Sequence, residues 1–482
     1  MGARGQFNTR FGFIMAAVGS AVGLGNLVRF PREMAGQGGA AFLLVYLVLL
    51  LLVGLPAILA EMSVGKMAQK SPLLALKELA GKHGKRWQVL GMFGVLAALF
   101  VLFFYTVLTG WALRFFLESF RDGWWGDGAT TLFADVAFGP WAIFWHLVVV
   151  AVTIYIISRG VSGIEKVVVV IMPALFLVIV GIVVFAGIKD IQSGAEGLKT
   201  VFRPDFSEMR FNHISNATGQ VFFSLSLGQG AMLTYASYMD KKQSVAKDGT
   251  TIAFADTGVA VLAAMMVFPI LAFTGLLTST DPAIMEAVGG TFGTAFIALP
   301  VAFNEMGAVI GRIVGTVFFL GLFFAALSSA ISLLEVPVSV AVDNLGWVRW
   351  KATVAIGLLV YCFGVIAAIN ETWFNLFDQI AVNFFVVIGV ALLTFFAGWI
   401  AKGVAKELDT GLKSRVGVYM VWMMRTVAPA LIIVTFLLGG LWGAEADGSF
   451  NFWYQAPDDC GTCTTANFRG LVNLIREAFT GN

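Results

Sequence analysis

Charge is scarce in this chain. Asp, Glu, Lys and Arg supply 12% of its 482 residues, about half the share found in soluble domains. So few charges cannot cover a water-facing surface, and 59% apolar residues with a mean hydropathy of +0.86 place the chain in a bilayer. Histidine is equally rare. His83, His146 and His213 fall on separate connections or span edges, with no Ser or Asp partner at a recognisable spacing, which argues against the common nucleophile–base constellations. No G-x-x-x-x-G-K-[ST] string occurs, so ATP is not the expected energy source. Two of the three cysteines, Cys460 and Cys463, form a CxxC. A local disulfide or free thiols are favoured over a metal pair, because no second ligand pair accompanies them. The chain is not expected to be an enzyme.

What the sequence has in abundance is long apolar runs. A span needs about 20 apolar residues, and such runs occur near 10–35, 40–68, 88–118, 141–158, 163–188, 214–239, 251–278, 308–340, 352–369, 374–401 and 416–442. The expectation is an all-α polytopic protein of eleven spans. Arg4 and Arg10 precede the first run as in a signal peptide, but Asn26, Arg29 and Pro31 stand where a small-residue cleavage site belongs. Cations crowd the even connections: Lys66, Lys70, Lys77, Lys82, Lys85 and Arg86 in the second, then Arg159 and Lys166, Lys241, Lys242 and Lys247, Arg349 and Lys351, and Lys402, Lys406, Lys413 and Arg415. By the positive-inside rule the N-terminus faces the cytoplasm of a cell (inner or plasma) membrane, and the tail 443–482 lies outside. Within that tail, Phe468 to Phe479 has helical spacing but is too short to span.

The first run is interrupted. GSAVGLGNLVRFP, Gly19 to Pro31, sets Gly19, Gly23 and Gly25 beside Asn26 and Arg29. A helix broken at membrane depth leaves backbone groups that must line a cavity or bind something. The sixth run, GQVFFSLSLGQGAMLTYASY from Gly219, is interrupted likewise at Ser224, Ser226, Gly228, Gln229 and Gly230. Taking 1–188 as one five-span repeat and 214–401 as its inverted partner puts both breaks in the first helix of a repeat, with 416–442 left as an extra span. Packing of small residues between helices explains the glycines but not Asn26, Gln220 and Gln229.

These strings, together with FFAALSSA in the eighth run and the aspartate of the tenth, resemble the neurotransmitter:sodium symporter family, which includes the bacterial leucine transporter. The resemblance runs from about Arg4 to Trp442 and implies sodium-coupled import by alternating access in a 5+5 inverted-repeat bundle. It implies a first sodium on Ala21, Asn26, Ser224 and Asp256, its shell completed by the substrate carboxylate, and a second on Gly19, Val22, Ala325, Ser328 and Ser329. Many animal members use chloride at positions resembling Tyr46, Gln220 and Ser224; here Asp256 would supply that negative charge, so no chloride requirement is expected. The implied substrate site comprises Ser20, Ala21, Leu24, Gly25, Val101, Tyr105, Phe223, Ser224, Ser226, Gln229, Ser329 and Leu333. Implied gates are Arg29 with Asp378 outside, flanked by Gln220, the lid Tyr105 and Phe223, and Arg4 with Asp343 inside.

Gly23 stands where amine-transporting relatives carry an aspartate, which favours an amino acid over a monoamine. Gln229 stands where the leucine transporter has an aromatic residue, so the pocket could bind a polar or indole-type side chain or simply be roomier. Gly25 neither demands nor excludes a β- or γ-amino acid. A sensor with the same site but no flux stays open, whereas a channel fits the mid-membrane clustering of polar residues less well. Oligomeric state and sodium stoichiometry are not readable, and no nucleic-acid partner is expected.

Overall fold

A computed structural model describes residues 5–437 apart from 122, 127, 190, 274, 276–291 and 411–415, together with the strand pairs 443–444 and 450–451. Arg4, Cys460, Cys463, the 468–479 segment and the last part of the eleventh expected span lie outside the described residues.

Among the described residues, nine continuous helices are long and apolar enough to cross a membrane. They run Ala40–Ala68, Gly81–Glu118, Pro140–Ser158, Val161–Ala186, Val245–Phe273, Ala308–Leu345, Arg349–Ile369, Glu371–Ile400 and Val416–Thr435. A tenth is a bent pair, Arg10–Ala21 and Gly25–Gly36, whose axes diverge by 53°. The sixth expected span consists of two shorter helices, Phe211–Ser224 and Ala231–Ala236, joined by the non-helical 225–230, neither of them long enough by itself to cross a membrane. Five short helices between spans were not anticipated: Pro72–Leu79, Gly128–Ala137, Ile191–Phe202, Leu299–Glu305 and Val404–Asp409.

Local chemistry sets several boundaries. Thr9 Oγ1 accepts from the Gly12 N–H (2.9 Å) at the start of the first span, and Asn370 caps the tenth through the Trp373 N–H (3.1 Å). Gly346 closes the eighth span in the left-handed conformation that glycine tolerates.

Burial separates centre from periphery. The eighth span buries 78% of its apolar window and the fifth 28%, so the eighth is a central helix and the fifth presents most of its surface outward. The first span packs against the fifth, seventh and eighth, and almost all of 12–30 is buried. The two broken helices therefore lie inside the bundle, where exposed backbone is tolerated.

Candidate functional site

The first break begins where Val22 takes an extended conformation (φ −72°, ψ 104°), after which the chain re-enters helix through a wide π turn at Gly25–Arg29. Close approach explains two of its glycines. A Cβ on Gly23 would lie 2.5 Å from the Tyr105 hydroxyl and 2.7 Å from Ser329 Oγ, and one on Gly25 would lie 2.8 Å from the Phe223 ring. In the sixth span, positive φ at Ser226 (51°), Gly228 (74°) and Gly230 (71°) unwinds the backbone. Ser226 is one of two non-glycine residues in that region among those described, a strained conformation that concentrates at ligand sites.

Two oxygen clusters and a cavity lie between the breaks. In the first cluster Asn26 Nδ2 donates to Asp256 Oδ1 (2.8 Å), the Asp256 carbonyl (3.1 Å) and Ser224 Oγ (3.1 Å). Ser224 Oγ donates to Asp256 Oδ2 (2.6 Å), and the Gln220 amide donates to the Gly25 carbonyl (2.9 Å). Asn26, Gln220, Ser224 and Asp256 are all fully buried. Among the described residues no basic group pairs with Asp256. A carboxylate that only neutral donors satisfy inside a membrane span has the chemistry to take a cation beside it.

The second cluster joins the first span to the eighth. Ser329 Oγ lies 3.4 Å from the Gly19 carbonyl and 3.2 Å from that of Ala325, and Ser328 Oγ lies 2.9 Å from the Ala325 carbonyl. Neutral carbonyl and hydroxyl oxygens suit a hard, weakly polarising cation such as sodium. Among the described residues no cluster of three or more His, Cys, Asp or Glu forms a transition-metal site.

A narrow cavity of about 20 Å³ lies beside both clusters, lined by Ser20, Ala21, Gly23, Gly25, Val101, Tyr105, Phe223, Ser226, Gln229, Ser329 and Leu333. The Tyr105 hydroxyl accepts from the Leu24 N–H (3.1 Å), pinning the first break to the third span. Of the twelve expected substrate-site residues, Leu24 and Ser224 flank this cavity without lining it.

A model of the sodium:neurotransmitter symporter family matches residues 4–136 and 133–455. The chain belongs to that family. An uncharacterized sodium-dependent transporter of Bacillus subtilis, YhdH, is 30% identical over 90% of this chain and 97% of its own length. The crystal structure of MhsT in complex with L-phenylalanine superposes with a TM-score of 0.81 at 33% identity, covering 91% of this chain and all of MhsT. The sodium-dependent neutral amino acid transporter B(0)AT2 of Bos taurus is 24% identical over 56% of this chain and 41% of its own. This symporter-family chain is thus a multi-span, sodium-dependent membrane transporter with an all-α fold, and not an enzyme.

The residues expected as gates of this family member have different surroundings. Arg29 lies 3.8 Å from Glu33 and stacks over the Phe223 ring at 5.5 Å, and it forms no ion pair with Asp378. Phe223 is only partly buried whereas Tyr105 is buried. Asp343 accepts from the Ser71 N–H (2.8 Å), capping the Pro72–Leu79 helix, and Arg4 lies outside the described residues.

Several functional-looking residues escaped the sequence reading. Glu61, buried in the second span, accepts from the Gly228 N–H (2.6 Å) and so holds the sixth-span break. Glu165 of the fifth span accepts from Asn8 N and Nδ2 (both 2.8 Å), Thr9 N (3.1 Å) and Thr9 Oγ1 (2.9 Å), which anchors the start of the first span. Nearby, Arg10 pairs with buried Asp248 (2.6 Å), and Glu335 accepts from Arg349 and from the Tyr238 hydroxyl (2.5 Å). A lone acid inside an apolar run was the only available signal for Glu61; its partner is 167 residues away.

Proposed function

We propose that this chain imports a neutral amino acid together with sodium by alternating access, without a chloride requirement. The observation that carries the reading is Asp256: a fully buried carboxylate between two broken helices, beside a cavity and with no basic partner among the described residues. A sodium bound by Asp256, Asn26, Ser224 and the Ala21 carbonyl would also meet the substrate's carboxylate at the cavity, so that each strengthens the other's binding, which is thermodynamic coupling. The fixed charge of Asp256 makes a chloride redundant at that place.

The second sodium is assigned to the carbonyls of Gly19, Val22 and Ala325 with the hydroxyls of Ser328 and Ser329. It touches no substrate, and its departure would free the inner half of the first span to swing. Tyr105 and Phe223 form the lid, with Arg29, Gln220 and Asp378 above it and Arg4 with Asp343 below. The two repeats are 1–188 and 214–401, with the N-terminus cytoplasmic and the tail outside, following the basic even connections. Names of relatives support the substrate class: MhsT was crystallised with phenylalanine, and B(0)AT2 is a neutral amino acid transporter.

The test is uptake of a panel of radiolabelled amino acids, β- and γ-amino acids included, into proteoliposomes under an inward sodium gradient with a potassium control. Concentrative, sodium-dependent uptake of an α-amino acid is expected. Binding without accumulation would identify a sensor instead.

A further inference from the structure

Gln229 sits in the unwound 225–230 segment, is 2% exposed, and lines the cavity. Among the described residues its carboxamide has no hydrogen-bond partner, although every hydroxyl on the cavity wall has one. Ser20 donates to Ser332 Oγ (2.7 Å), Ser226 to the Ser20 carbonyl (2.6 Å) and Ser329 to the Ala325 carbonyl (3.2 Å), while the Tyr105 hydroxyl accepts from Leu24 N–H (3.1 Å). The amide faces the cavity with both donor and acceptor capacity unused by the protein, and a ligand there can complete it. The backbone that presents the amide is fixed on both sides: the Gly228 N–H is held by Glu61, and Gly230 is turned at φ 71°.

We propose that Gln229 selects the side chain of the substrate, and that this substrate is a neutral amino acid bearing a hydroxyl or carboxamide. The inference rests on the amino-acid symporter reading above. A carboxamide both donates and accepts, which matches a hydroxyl or a second amide. An apolar side chain of equal size would leave it unpaired, and sites built around a buried polar group reject such analogues strongly. No charged residue lines the cavity, so an acidic or basic side chain would lack its counter-charge.

The experiment is sodium-driven uptake in proteoliposomes of two near-isosteric pairs, threonine against valine and glutamine against methionine, by the native chain and by Gln229→Leu. The native chain should favour the polar member of at least one pair by about 10-fold or more. Gln229→Leu should bring that ratio to about one or below while still accumulating valine or methionine. Should that variant fail to insert, the near-isosteric Gln229→Met reads the same ratio. Equal uptake of both members by the native chain, or an unchanged ratio in the variants, would overturn the inference while leaving the symporter reading intact. Absence of sodium-driven uptake of every amino acid would overturn both.

Discussion

The two oxygen clusters that meet the first span differ by one charge. At Asn26, Ser224 and Asp256 a carboxylate is fully buried beside the cavity; at Gly19, Ala325, Ser328 and Ser329 every oxygen is neutral and the contact joins the first span to the eighth. Charge next to the cavity makes a cation there sensitive to the substrate's own carboxylate. Neutral oxygens between two helices make a cation there sensitive to how those helices sit. In the proposed cycle the first cluster therefore couples sodium to substrate, and the second couples sodium to conformation.

Removing the charge should have the largest effect. Taking one member from a buried charge pair costs about 3–5 kcal/mol, so Asp256→Asn should raise the sodium concentration for half-maximal uptake about 100-fold or more. Added chloride should recover part of that loss, because a mobile anion then replaces the fixed one. Next comes the double change Ser328→Ala with Ser329→Ala, which removes two hydroxyls worth about 1 kcal/mol each and should weaken apparent sodium affinity about 10- to 30-fold. Because Ser329 also lines the cavity, substrate choice is read in Ser328→Ala alone, where competition assays should show the amino-acid ranking unchanged. Gly23→Ala strikes between the clusters, since its Cβ would meet Tyr105 and Ser329 at 2.5 and 2.7 Å. Overpacking of about 1–3 kcal/mol should lower the thermal midpoint and substrate affinity together. The smallest effect is none: replacing chloride by gluconate should leave native uptake unchanged.

Much of this comparison was legible in the sequence because its signals are local. Long apolar runs foretold the nine continuous spanning helices, and glycines stand beside Asn26 and Gln229 where the first and sixth runs leave regular helix. Polar residues expected from the family resemblance do meet around one cavity. What was not legible depends on contacts between distant segments. The role of Glu61 exists only through the Gly228 N–H, and that of Glu165 only through Asn8 and Thr9, 156 or 157 residues away. The short helices Pro72–Leu79, Ile191–Phe202 and Val404–Asp409 fall in connections whose mixed polarity carries no spanning signal. The contact of the Asp343 carboxylate with the Ser71 N–H likewise joins segments 272 residues apart.

The most direct test is the entry of radiolabelled sodium into proteoliposomes in chloride-free buffer, with and without the amino acid that the uptake panel identifies. If Asp256 holds a sodium whose shell the substrate completes, adding substrate accelerates sodium entry in the native chain and not in Asp256→Asn. Substrate entry with no change in sodium entry, or equal acceleration in the variant, would contradict the account.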